Sequence, residues 1–166
     1  NLYTLRNLKL TMPNERLNID EIRELIPHRE PFLFLDELIN IENLSKATGI
    51  KTYSHNENFF KGHFPGQPVV PGVILIEMMA QTAAALIAYS IREETFDKIV
   101  YLMNIESTKF RKPVFPDTKI FTDVNALRSK GRVWRFEGNS YDKNDNAICE
   151  AKWSAMIMDR DNEQNS

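Results

Sequence analysis

From Val73 to Ile91 the sequence runs VILIEMMAQTAAALIAYSI, with no proline or glycine, and apolar residues fall on nearly every face of the helix it predicts. Such a helix cannot lie on a surface. It needs cover from more than one direction, and the rest of the chain must supply it. The apolar window from Val69 to Ala88 approaches the length of a membrane span, but Pro71, Gly72, Glu77 and Gln81 interrupt it and argue against one.

The flanking segments suit that demand. Asn18 followed by IDEIRELI sets Ile19, Ile22 and Ile26 on one face behind a cap, and Pro27 ends this short helix. FLFLDELINIE and KATGIKTYS read as two strands paired as a hairpin across ENLS, and KGHFPGQPVVPG, rich in glycine and proline, predicts rigid irregular backbone. Beyond REETFDK come four β-rich segments, IVYLMNIESTKF, KIFTDVNAL, RVWRFEGNSYD and AICEAKWSAMIM, which predict an antiparallel meander. Two strands, one buried helix and four strands make an α+β order in which a curved antiparallel sheet wraps a single helix. The domain is expected over residues 18–158, with an N-terminal extension over 1–17 and a polar tail over 159–166.

Composition narrows the function classes. The chain has 166 residues and a net charge of -2, which gives no global reason to expect nucleic-acid binding. Cys149 is the single cysteine, so no intrachain disulfide forms. With His28, His55 and His63 it makes neither CxxC nor HExxH spacing, so no metal site is expected. The segment NLYTLRNLKLTMPNERLN lacks the unbroken apolar stretch of a secretory signal. A reducing cytoplasmic setting is expected, or an organellar stroma if the residues ahead of Met12 are a targeting remnant.

Glu77 is the anomaly, a carboxylate set among Ile74, Ile76, Met78, Met79 and Ala80. Burial there would favour its protonated form and suit it to donate a proton; pairing with a lysine or arginine is the alternative. Gln81, one turn further on, is expected to hydrogen-bond backbone or side chains nearby. His63 titrates near neutrality and can take a proton. Pro71 and Gly72 precede the helix, where free N–H groups could hold an oxyanion on an ester or thioester carbonyl. A base, an acid and an oxyanion pocket within so short a stretch match loss of water from a 3-hydroxyacyl compound. That chemistry needs no cofactor.

LIPHREPFLFLDE, FFKGHFPGQPVVPGVILIEMMAQTAA and YLMNIESTKFRKPVFPDT together resemble the 3-hydroxyacyl-[acyl-carrier-protein] dehydratases of the FabZ type, from about Ile19 to Met158. The resemblance implies a hot-dog fold and a homodimer, commonly three dimers in a hexamer. It implies that His63 of one chain meets Glu77 of the other and that the Gly72 N–H holds the thioester carbonyl; Phe64 and Tyr101 are candidates to line the acyl tunnel, with a plain interior aromatic the favoured alternative for Tyr101. Glu77, where the FabA-type dehydratase/isomerases carry aspartate, favours dehydration without isomerisation. In the PHRxPFLxxD turn, His28, Arg29 and Asp36 are expected to be structural.

The implied partner is an acidic acyl carrier protein. Six basic residues gather in KFRK and RSKGR, namely Lys109, Arg111, Lys112, Arg128, Lys130 and Arg132, and the first three are candidates for carrier docking. A hot-dog acyl thioesterase and a noncatalytic acyl-binding member of the fold remain as alternatives.

Overall fold

A computed structural model of the chain describes residues 15–92 and 98–159. The first helix, α1 (Ile19–Leu25), starts at a capping box: the Asn18 side chain accepts from the N–H groups of Asp20 and Glu21, and the Glu21 carboxylate accepts from the Asn18 N–H at 2.8 Å. Ile26, ahead of Pro27, is extended and ends it. β1 (Glu37–Glu42) and β2 (Lys46–Thr52) then form the expected antiparallel hairpin.

The long helix α2 (Gly72–Ser90) follows an irregular loop, and β3 (Lys98–Phe110), β4 (Lys119–Lys130), β5 (Val133–Asp142) and β6 (Ala147–Asp159) complete the chain. All six strands join one sheet in the order β1-β2-β4-β5-β6-β3. The sheet wraps α2, giving the hot-dog arrangement. Although α2 is long and apolar enough to cross a membrane, 67% of its most apolar window is buried inside the protein.

Glycine allows the closest approach between helix and sheet. A Cβ on Gly49 of β2 would stand 2.3 Å from Thr82 Oγ1 on α2, and one on Gly138 of β5 would stand 3.1 Å from Met79 Sδ. The helix therefore rests on backbone at these points.

Two expectations need correction. The first strand begins at Glu37 rather than at Phe32: the Phe34 N–H is turned to Gln81 of α2, and hydrogen bonding to β2 starts only where the Asp36 N–H reaches the Ile50 carbonyl. The last four strands are also not a simple meander. β4, β5 and β6 follow one another, but β3 pairs with β6 at the far edge, and β4 pairs with β2. The connection from β3 to β4 is pinned where the Val70 N–H donates to the Val114 carbonyl at 2.8 Å, beside the loop that enters α2. The extension expected over 1–17 and the tail over 159–166 lie mostly outside the described residues, although Leu17 is buried and bridges Leu38.

Candidate active site

His63 is held by its own loop. Its N–H donates to the Phe59 carbonyl at 2.9 Å, and its carbonyl accepts from the Val69 N–H at 2.9 Å. Between these ties, Phe64 and Gln67 exchange two backbone hydrogen bonds, a tight turn that needs the positive φ of Gly66, 77°. The ring Nδ1 lies 2.7 Å from the Val69 carbonyl oxygen. A carbonyl can only accept, so Nδ1 carries the hydrogen and the neutral ring keeps its lone pair on Nε2. The ring stacks on Phe64, which is 53% exposed, with centroids 4.0 Å apart.

Glu77 stands on the second turn of α2, with Gln81 one turn further along the same face. The Gln81 Oε1 accepts the Phe34 N–H at 2.8 Å, which turns its amide nitrogen toward the Phe32 carbonyl and Glu77 Oε1, each at 2.9 Å. Glu77 Oε1 is therefore an acceptor, and Oε2 is the oxygen available to carry a proton. The surroundings differ from the apolar ones expected. The carboxylate leaves the core between polar neighbours with its side chain 22% exposed, and no lysine or arginine pairs with it among the described residues.

His28 is the residue that sequence reasoning placed in a turn and left there. Its Nε2 lies 3.5 Å from Glu77 Oε1. Burial lowers the His28 pKa below the usual imidazole value; the Glu77 carboxylate opposes this and the Arg29 guanidinium adds to it. Its Nδ1 is buried with no partner among the described residues. Arg29 itself is held by backbone carbonyls of Arg23, Ile26 and His28, and Asp36 accepts from Lys51 Nζ and the Thr52 N–H at 2.8 Å, so these two are structural as expected. The sequence signals for His28 were its place directly after Pro27 and within the PHRxPFLxxD motif, and neither points to Glu77.

An aromatic run joins the two halves of this region. Phe32, Phe34, Tyr53, Phe59 and Phe60 follow one another with centroids 4.6–6.0 Å apart, so the segment that holds Gln81 and the loop that carries His63 share one support. Tyr53 is fully buried, and that burial pushes its phenol pKa well up.

Gly72 is the first residue of α2, so its N–H has no acceptor within the helix. A Cβ there would stand 2.8 Å from the Phe110 ring, which lies over the helix start. Within one chain, no hydrogen bond or ion pair joins His63 to Glu77 among the described residues. Tyr101 is 52% exposed on β3, and its neighbour Val100, on the opposite face of the strand, lines an apolar slot beside α2.

The six cations form two groups at opposite ends of β6. Arg111 is ion-paired with Glu150 at 2.5 Å and Lys112 with Asp142 at 2.8 Å, while Arg132 meets Asp159 at 3.6 Å. Glu150 and Asp159 are separated by about 30 Å of strand. The group at 109–112 flanks Phe110 and hence the start of α2; its Lys109 is exposed, with no ion-pair partner among the described residues.

A curved antiparallel sheet closed on one helix defines the hot-dog class. A solved structure of that class, the dehydratase heterocomplex ApeI:P from Xenorhabdus doucetiae, matches with a TM-score of 0.72 and 17% identity, over 83% of this chain and 91% of its own. The FabA-like domain family matches residues 26–152. The protein described as 3-hydroxyacyl-[acyl-carrier-protein] dehydratase FabZ from Paramagnetospirillum magneticum is 44% identical over 86% of this chain and 88% of its own length. The FabZ proteins of Acidiphilium cryptum and Anaeromyxobacter sp. (strain K) are 45% and 40% identical, over 87% of this chain and 87% and 93% of theirs. The chain belongs to the FabA-like family and, within it, to the FabZ 3-hydroxyacyl-[acyl-carrier-protein] dehydratases.

Proposed function

We propose that this chain converts (3R)-3-hydroxyacyl-[acyl-carrier-protein] to the trans-2-enoyl thioester in type II fatty acid biosynthesis. The observation that carries the mechanism is the bond from His63 Nδ1 to Val69, which leaves Nε2 as the basic nitrogen. In this reading Nε2 removes the α-proton while the Gly72 N–H holds the thioester oxygen, where charge develops. The electron pair of the broken C–H bond forms the double bond, and the C–O bond to the 3-hydroxyl breaks. Glu77 Oε2 gives that hydroxyl its proton, and water leaves. The proton on His63 then returns to Glu77, which closes the cycle without a redox step.

In this reading the working unit is a homodimer in which each site takes His63 from one copy and Glu77 from the other, with three such dimers in a hexamer; that no hydrogen bond or ion pair joins the two within one chain among the described residues supports it. The exposed apolar edge of β3 supports a second copy there. Phe64 and Tyr101 would face the substrate from that interface. Lys109, Arg111 and Lys112 would steer the acidic carrier toward the start of α2, with Lys109 the most available of the three. The compartment that fits is the cytoplasm or an organellar stroma.

The test is incubation with a 3-hydroxyacyl carrier thioester, followed by product mass. Reversible loss of one water is expected. Release of free acid would make the protein a thioesterase, and binding without change would make it an acyl-binding module.

A further inference from the structure

His28 turns Nε2 toward Glu77 Oε1 at 3.5 Å and buries Nδ1, which has no hydrogen-bond partner among the described residues. A hydrogen on Nδ1 would be a buried donor with no acceptor, and it would leave the Nε2 lone pair facing those of the carboxylate. Burial and the Arg29 guanidinium disfavour a second proton on the ring and outweigh the Glu77 carboxylate, so the ring is neutral near neutral pH. Its one hydrogen therefore sits on Nε2, aimed at Glu77. This is the opposite tautomer to that of His63, whose hydrogen on Nδ1 meets the Val69 carbonyl. The segment around His28 is also fixed: Arg29 donates to the Ile26 and His28 carbonyls at 2.9 and 2.6 Å, and Gln81 holds Phe32 and Phe34 against α2.

We propose that His28 is a positioning residue of the reaction: its Nε2–H, together with the Gln81 amide, engages Glu77 Oε1 and keeps Oε2 turned to the 3-hydroxyl of the substrate. The inference rests on the dehydratase reading above. The last torsion of a glutamate side chain is broad, and a single donor restrains it weakly. Gln81 approaches Oε1 from the same helix, and His28 approaches it from the segment after α1, so two donors from different elements converge on one oxygen. At 3.5 Å the His28 contact is longer than a formed hydrogen bond, and contacts of this kind tighten in the substrate complex. In this role His28 touches no reacting atom and acts only through Glu77.

The experiment has a spectroscopic and a kinetic arm. Long-range proton–nitrogen spectra of the imidazoles in the wild type, with the His28 signals assigned by their loss in His28→Gln, should show its hydrogen on Nε2. A hydrogen on Nδ1 would overturn the proposal whatever the activity. Steady-state rates on a 3-hydroxyacyl carrier then compare wild type, His28→Phe and His28→Gln. Phenylalanine keeps a flat ring in the same space and lacks the N–H, whereas glutamine sets an amide N–H near the place of Nε2. His28→Phe should lower kcat about ten- to a hundredfold with KM unchanged, the scale of a small misplacement of a reacting group, and His28→Gln should keep most of the rate. A merely structural histidine would lose rate equally in both variants or in neither, and either pattern overturns the role while leaving the dehydratase reading intact. If His28→Phe does not fold, the tautomer and the rate of His28→Gln decide. A wild type that removes no water from the carrier substrate would overturn both readings.

Discussion

The Nδ1 of His63 and the carbonyl oxygen of Val69 lie 2.7 Å apart, and the Val69 N–H donates back to the His63 carbonyl at 2.9 Å. One pair of residues thus fixes the loop, the ring orientation and the tautomer together. Asparagine at this position keeps an N–H donor near the same place but offers no basic nitrogen. His63→Asn should unfold at nearly the wild-type temperature and lose about 10²–10⁴ in kcat, the usual contribution of a general base. Calorimetry and steady-state rates on a hydroxyacyl carrier check both halves. Activity above a tenth of wild type would remove His63 from the role.

Gln81 is 1% exposed and spends its amide on three partners: the Phe34 N–H, the Phe32 carbonyl and Glu77 Oε1. Leucine fills similar space and leaves two backbone groups unpaired in the interior. Gln81→Leu should lower unfolding free energy by about 2–6 kcal/mol, from an unsatisfied-group cost of about 1–3 kcal/mol for each of the two. Urea unfolding at unchanged slope reads this directly. The rate should fall as well, because Glu77 loses the contact that orients it. A variant as stable as wild type would contradict the interior pairing.

His28 gives the protein a stability that depends on pH. Its pKa in the folded chain lies below the unfolded value because burial disfavours the charged ring. Between those two values the unfolded chain binds more protons, so stability rises with pH across that window. It is present above the unfolded imidazole pKa, near 6.5, and declines as pH falls toward the folded one. Arg29 sharpens the penalty on a charged ring and Glu77 relieves part of it. In His28→Gln the melting temperature should fall less between pH 7.5 and pH 5 than it does in wild type. An equal fall in both proteins would place the acid sensitivity elsewhere.

The parts of this fold legible in the sequence are those decided locally. Asn18 and Glu21 cap α1 at capping-box spacing, β1 and β2 pair across a polar break, and a helix apolar on nearly every face had to be enclosed. The four-residue spacing of Glu77 and Gln81 likewise put them on one helix face before any packing was known. The position of β3 was not legible, because alternation of apolar residues marks a strand without naming its neighbour. Pairing with β6 rather than β4 depends on a connection pinned by Val70 and Val114, a contact between residues far apart in sequence. His28 escaped for the same reason: only the packing of α1 against α2 brings it to Glu77, and its own neighbours read as a turn.

Among the described residues one whole edge of β3 has no partner strand, and Tyr101, Leu102, Met103 and Ile105 on it are 41–52% exposed. A long apolar edge is what soluble proteins normally blunt or cover. A second copy covers it if the two β3 strands pair about a twofold axis, in which case each chain offers the other the same surface. The shared site then makes a prediction that a self-contained site does not. His63→Asn and Glu77→Gln should each be inactive alone, since each lacks one of the two groups. Co-expressed, they form mixed dimers, and in each of these one site joins an intact His63 to an intact Glu77 while the other site carries both lesions. Random pairing puts half of the dimers in that state with half of their sites active, so about a quarter of the wild-type activity should return. No recovery in a preparation shown by mass spectrometry to contain mixed dimers would place both groups of each site in one chain.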